Sequence, residues 1–160
     1  MACTLTPATL ASLHGRAFLG QGRGWSEAEF AGLLDSPHVF VTGDARAFAL
    51  GRVIADEAEL LTIATDPAWS RQGLGRACLA AYETQAVARG ARISFLEVAA
   101  DNAAARALYE TAGYQEAARR AEYYRRGAYS VDALILRRDL DPSSGPDRAI
   151  TPERSRKSEG

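Results

Sequence analysis

Two glycines, Gly73 and Gly75, stand between two arginines in the run Trp69-Ser70-Arg71-Gln72-Gly73-Leu74-Gly75-Arg76. The run follows a strand-like stretch. It opens a segment in which Leu74, Ala77, Cys78, Ala81 and Ala88 keep helical spacing. The start of a helix leaves backbone N–H groups without partners, and glycine lets an anion approach them closely. Arg71 and Arg76 can add charge-assisted hydrogen bonds, so phosphate binding is the chemistry this loop could do. The same glycines also suit a plain turn packed tightly against a strand, and the loop by itself does not choose between the two. It is no P-loop, because GxxxxGK[ST] is absent, and it has neither a third glycine nor a ribose-binding acid at the dinucleotide-fold spacing. Two further side chains can carry protons. Glu97, between Leu96 and Val98, either faces solvent at a strand end or serves a site there. Tyr109, in Leu108-Tyr109-Glu110, either anchors a helix as a core aromatic or reaches the same place. His14 and His38 lack metal-ligand spacing and read as surface or helix-end residues. Cys78 reads as a core thiol.

The elements that must position these residues alternate along the chain. Thr6-Pro7 predicts an N-cap with proline in the first turn, opening a helix to about Phe18. Ser26 with Glu29 predicts a capping box and a second helix to about Leu34. Val39–Thr42, Ala45–Ala55 and Ala58–Thr65 read as strands joined at Gly43-Asp44 and Asp56-Glu57, an antiparallel meander. Gly73–Arg89 is a helix stopped by Gly90, Ile93–Val98 a strand, and Asn102–Ala112 a helix ended by Gly113. Tyr114–Tyr123 and Val131–Leu140 are the last two strands, and Thr4-Leu5 is a possible stub of another. The sum is an α/β (α+β) domain, a mixed sheet covered by helices.

The chain has 160 residues, 47% of them apolar and 24% charged, with a formal net charge of −1. That length suits one domain, and the charge argues against nucleic acid as a primary partner. No apolar run reaches the roughly 18 residues of a membrane span, and Met1–Pro7 lacks a signal-peptide pattern. The expectation is a soluble cytoplasmic protein that binds neither membrane nor nucleic acid. The last twenty residues, Asp141–Gly160, have little to bury and read as a disordered tail on a 1–140 domain.

Several motifs occur in order: Ile63-Ala64-Thr65-Asp66-Pro67, then Arg71-Gln72-Gly73-Leu74-Gly75-Arg76, then Leu96-Glu97-Val98. They are followed by Asn102-Ala103-Ala104-Ala105-Arg106-Ala107-Leu108-Tyr109-Glu110 and Gly113-Tyr114. Over about residues 25–138 this arrangement strongly resembles the GNAT superfamily of acetyl-CoA-dependent N-acetyltransferases. Arg120-Ala121-Glu122-Tyr123-Tyr124 with Asp132-Ala133 is most similar to the branch that acetylates the N-terminal alanine of a small-subunit ribosomal protein. One position departs: Ser70 stands where the family's pyrophosphate motif usually begins with Gln or Arg. Because backbone amides hold most of the phosphate, this is expected to weaken the site only slightly.

The resemblance implies a mostly antiparallel sheet, splayed between two central strands to admit the pantetheine arm and flanked by about four helices. It implies that the amides from Arg71 to Arg76 grip the pyrophosphate. Ile63, Ala64 and Thr65 would lie along the arm, and Asn102 would hydrogen-bond it. Glu97 would be the base, through water, and Tyr109 the acid toward the leaving thiolate, with no metal. A backbone amide near the end of the Ile63 strand would stabilise the carbonyl oxygen as it gains charge. The acceptor is expected to be the α-amine of a protein, of ribosomal-protein type. The alternatives are a lysine side chain or small-molecule amine, or a catalytically silent acyl-CoA sensor. Retention of both Glu97 and Tyr109 counts against the sensor. The charge run Arg119-Arg120, Glu122, Arg125-Arg126 reads as a solvated strand edge or as a wall for an acceptor peptide. Trp25-Ser26 and Tyr123-Tyr124 could line that groove from opposite sides.

Overall fold

Both N-terminal helices begin where their caps predict. Thr6 Oγ1 accepts from the Thr9 N–H at 3.2 Å and opens α1, Pro7–Ala17. Ser26 and Glu29 close a reciprocal capping box, at 3.1 and 2.7 Å, and open α2, Glu27–Leu34. The computed structural model describes residues 5–18 and 24–140. Cys3, Thr4 and the expected tail lie outside them, and Leu5 belongs to no strand. The remaining elements are β1 (Val39–Asp44), β2 (Ala47–Ile54), β3 (Glu57–Thr65), α3 (Leu74–Ala88), β4 (Ile93–Ala99), α4 (Ala103–Thr111), β5 (Gln115–Arg126) and β6 (Tyr129–Asp139). A single 3-10 turn, Pro67–Trp69, separates β3 from the glycine loop and was not expected from the sequence. The two turns of the β1-β2-β3 meander fall at Ala45-Arg46 and Ala55-Asp56, a residue or two from the expected pairs.

The strands form one sheet in the order β1-β2-β3-β4-β6-β5. Only β3 and β4 run parallel; every other pair is antiparallel, so the expected meander and the mostly antiparallel sheet are both present. Alternation along β2 separates two cores. Ala47, Ala49 and Val53 pack with α3 and α4 through Leu79, Tyr82 and Tyr109. Phe48 and Leu50 pack on the other face, with Leu10, Leu13 and Phe30 from α1 and α2. Ser94, fully buried, receives the Tyr114 hydroxyl at 2.8 Å and shares a 2.8 Å hydrogen bond with Tyr82, tying β4 to α3 and to the entry of β5.

The third strand, β3, is irregular in two ways. Leu50 pairs with Thr62 and Gly51 with Leu60, so Leu61 is an extra residue, a β-bulge. Before it, Ala58 and Leu60 face α3; after it, Ile63 faces α3 while Thr62 and Ala64 face α1 and α2. Gly51 sits at this point because a Cβ there would lie 2.6 Å from the Tyr82 ring. Secondly, β3 pairs with β4 only from Glu57 to Leu60, against Ile93 to Leu96. Beyond Leu60 the two strands part, while β4 stays paired with β6 as far as Ala99. The expected splay is therefore real. It leaves a cleft between the C-terminal halves of β3 and β4.

Candidate active site

The cleft encloses about 270 Å³. One wall is β3 with α1 and the start of α2: His14, Phe18, Trp25, Thr62 and Ile63. The other is β4 with α4 and β5: Glu97, Asn102, Tyr109, Tyr124 and Arg126. Glu97, Tyr109, Ile63 and Asn102 were expected here, and the structure brings all four together. Ala64 is only 4% exposed, its side chain packed toward α1 and α2, so only its backbone can follow the cleft. Asn102 caps α4, its Oδ1 accepting from the Ala105 N–H at 3.2 Å.

The glycine loop stands at the mouth of the splay. The first helical bond of α3 runs from the Ala77 N–H to the Gly73 carbonyl at 3.0 Å, which leaves the Leu74, Gly75 and Arg76 N–H groups without helical acceptors. Gly73 is left-handed, with φ +78°, and so is Arg71, with φ +65°. A left-handed conformation is routine for glycine and costly for arginine, and such strain collects at functional turns. A Cβ on Gly73 would meet no protein atom within 4 Å, so its surroundings are open to a ligand. A Cβ on Gly75 would lie 3.6 Å from Thr65 Oγ1, which places this helix start beside the end of β3. Arg71, Gln72 and Arg76 are exposed, and neither arginine is ion-paired among the described residues. Asp66 pins the approach: it caps the 3-10 turn through the Ala68 N–H at 3.0 Å and pairs with Arg16 of α1 at 3.0 Å. The loop can hold an extended anion whose tail runs into the cleft.

Glu97 is exposed to the cleft, and its Oε2 accepts the Tyr124 hydroxyl at 2.5 Å. A charge-assisted bond of that length fixes the carboxylate and leaves Oε1 for an amine or a water. Burial, and then the Glu97 hydrogen bond, push the Tyr124 phenol above its ordinary range, so it stays a donor. Tyr124 reaches Glu97 through a second bulge. Arg120 pairs with Ala133 and Tyr124 with Val131, leaving residues 121–123 opposite Asp132 alone. Glu122 there has φ +51°; Asp132 holds its N–H at 2.9 Å and Arg119 at 2.9 Å. That backbone hydrogen bond, followed by Arg119, keeps the Asp132 carboxyl below the usual range. The Tyr124 role was not read from the sequence beyond its place in the groove. Trp25 and Tyr124 do face each other across the cleft, whereas Ser26 caps α2 and Tyr123 is 50% exposed.

Tyr109 is 5% exposed, edge-on to Tyr114 with ring centroids 6.0 Å apart. Burial raises its phenol well above the ordinary value, so it stays protonated and keeps its O–H as a donor, though as a weaker acid than a free tyrosine. It is both a core aromatic and a cleft residue, which unites its two readings. Cys78 is a buried thiol, pushed up to about 11 chiefly by burial, as a core cysteine should be. Among the described residues no group of His, Cys, Asp and Glu is gathered as metal ligands, and no helix is long and apolar enough to cross a membrane.

His14 corrects an expectation. It lies in the last turn of α1, in keeping with the helix-end alternative, but not at the surface: it is 1% exposed, because it continues the apolar stripe of Leu10 and Leu13 into the core. His38 is exposed as read. Burial pulls the His14 imidazole down to about 4, against an opposing pull from Glu29. The unfolded chain, with an ordinary value near 6.5, therefore takes up this proton first on acidification. Stability is thus expected to fall as pH drops from about 6.5 toward 4. Thermal melts between pH 7 and 5 check this. His14→Phe is expected to melt lower throughout yet lack the decline between pH 6.5 and 5, a window above the titration of ordinary aspartates.

A loop for a phosphate-bearing tail, a parted parallel strand pair, and a carboxylate and phenol on one wall define a site for acyl transfer from a thioester to an amine. The chain belongs to the acetyltransferase (GNAT) family, whose pattern matches residues 12–114, and it is an acetyl-CoA-dependent N-acetyltransferase. It is 42% identical over 116 residues, 70% of this chain and 78% of the relative, to the [ribosomal protein bS18]-alanine N-acetyltransferase of Escherichia coli K12. It is 38% identical over 143 residues, 83% of this chain and 87% of the relative, to N-alpha-acetyltransferase RimI of Mycobacterium tuberculosis. The crystal structure of the ribosomal-protein-S18-alanine N-acetyltransferase from Escherichia coli superposes with a TM-score of 0.75 at 37% identity, covering 84% of this chain and 87% of that one.

Proposed function

We propose that this enzyme transfers the acetyl group of acetyl-CoA to the α-amine of a protein that begins with alanine, of the ribosomal protein S18 type. The observation that carries the reading is the Tyr124–Glu97 hydrogen bond, which sets a fixed carboxylate at the acceptor end of the cleft. The amides and side chains of Arg71, Gln72, Gly73, Leu74, Gly75 and Arg76 grip the pyrophosphate. Ile63, the backbone of Ala64, and Thr65 follow the pantetheine arm, and the Asn102 amide group, its oxygen already used as a cap, offers its N–H to that arm. Glu97 takes a proton from the amine, directly or through water. Tyr109 gives one to the departing thiol sulfur. No metal enters this chemistry, and a ribosomal acceptor puts the reaction in the cytoplasm.

Proton arithmetic supports an α-amine. Its ordinary pKa of about 7.7–8.0 leaves it partly neutral at pH 7, whereas a lysine near 10.4 must be deprotonated at a cost of about 3–4 kcal/mol more. Two peptides decide the matter by mass spectrometry. One begins with a free alanine; the other is blocked at its N-terminus and carries a lysine. The first is expected to gain one acetyl group at its α-amine, and faster. Preference for the blocked peptide would transfer the assignment to a lysine acetyltransferase.

A further inference from the structure

His14 and Thr62 take no part in the proton transfers assigned to Glu97 and Tyr109, although both line the acceptor side of the cleft. His14 Nδ1 accepts the Trp25 backbone N–H at 3.1 Å, so that nitrogen carries no hydrogen. A proton placed on it would set two donors face to face. The ring hydrogen is therefore on Nε2, 3.0 Å from Thr62 Oγ1, and donates to it. With its oxygen accepting from His14, the Thr62 hydroxyl keeps its own hydrogen for another partner, and no described residue takes it. The Leu61 bulge turns Thr62 to this face of β3. Beside it the His14 ring is stacked between Phe18, at 4.2 Å, and Trp25, at 5.1 Å, forming an apolar wall. Across the cleft stands Glu97, held by Tyr124.

An α-amine directed at Glu97 brings with it a side chain and, three bonds away, a carbonyl oxygen. The apolar wall suits a small side chain, and the carbonyl needs a donor once water is displaced. Two donors on these walls are already engaged, the Tyr124 hydroxyl with Glu97 and His14 Nε2 with Thr62. We infer that Thr62 is a specificity-determining residue for the acceptor: its hydroxyl, oriented by His14, donates to the carbonyl oxygen of the acceptor's first residue. Lysine side chains and simple amines have no carbonyl at that distance, so the contact selects protein N-termini. The inference rests on the N-terminal reading of the acceptor and adds the contact that enforces it.

The test compares two acceptors: an alanine-first peptide, and the same peptide with its first carbonyl reduced to a methylene. The ratio of parent to variant kcat/KM is taken for each acceptor, so that the amines' different basicities cancel. Thr62→Val is expected to lose about threefold to tenfold on the normal peptide, the worth of one neutral hydrogen bond. It should lose nothing on the reduced peptide, with KM for acetyl-CoA unchanged, and Thr62→Ser should restore the discrimination. Equal losses on both acceptors, or none on the normal peptide, would overturn the inference. Should Thr62→Val fold poorly, ¹⁵N chemical shifts of the His14 ring in the parent enzyme at pH 7 supply an independent readout. The Nε2–H tautomer is expected, and an Nδ1–H tautomer would overturn the orientation of Thr62. A parent enzyme that acetylates neither peptide refutes the N-terminal reading itself, a result seen before any variant is made.

Discussion

Glu97→Gln is expected to lower the turnover number about 10²–10⁴-fold, the usual contribution of a general base, while acetyl-CoA affinity stays nearly constant. Glutamine keeps the size of the side chain, and its amide oxygen can still accept the Tyr124 hydroxyl that now meets Oε2 at 2.5 Å. The cleft wall therefore keeps its shape and loses only its proton acceptor. Glu97 lies on β4, whereas the glycine loop, the proposed pyrophosphate site, opens α3, so acetyl-CoA binding should be unaffected. The loss should shrink as pH rises through about 7.7–8.0, because more of the acceptor then arrives already deprotonated. A pH–rate profile with acetyl-CoA saturating reads this directly. A variant profile equal in height and shape to the parent's would make Glu97 a bystander at a strand end.

How much of this site could be read from the residues depended on the range of the interactions that build it. Helix caps, the meander and the glycine loop are local: Thr6, Ser26 with Glu29, and Gly73 act on backbone within a few residues of themselves, and the sequence carries their signal. The splay followed from family resemblance and is set by where β3 pairing with β4 ends, at Leu60 and Leu96. The Leu61 bulge had no local mark. It reverses which face Thr62 and Ile63 present, and the apolar run Leu60-Leu61 reads the same either way. Tyr124 was legible as a groove residue but not as the partner of Glu97. That contact depends on Asp132 holding a left-handed Glu122 across the hairpin, an arrangement fixed between strands. His14 is the instructive miss. Its spacing from Leu10 and Leu13, four and one residues, already put it on the buried stripe of α1. What the sequence lacked was its partner, since Thr62 lies 48 residues away.

Tyr109→Phe should fail differently from Glu97→Gln. Phenylalanine keeps the ring that meets Tyr114 edge-on at 6.0 Å and fills the same buried volume, so the melting temperature should barely move. What is lost is a hydroxyl that burial holds in its protonated form, a donor for the departing sulfur. Turnover is expected to fall about 10²-fold or more, within the range of general acid catalysis. Because the parent's phenol does not titrate at working pH, this loss should persist while the pH passes 7.7–8.0, where the Glu97→Gln defect eases. It should relent only beyond about 8.5, the ordinary pKa of a thiol, where the leaving sulfur no longer needs a proton. An acetyl thioester of a more acidic thiol makes the same distinction at fixed pH. Its sulfur departs readily as the anion, so it should rescue Tyr109→Phe and leave Glu97→Gln impaired, since the amine's proton still lacks a base. Turnover of Tyr109→Phe within twofold of the parent's, with either donor, would reduce Tyr109 to a packing residue and leave the thiolate to depart unprotonated.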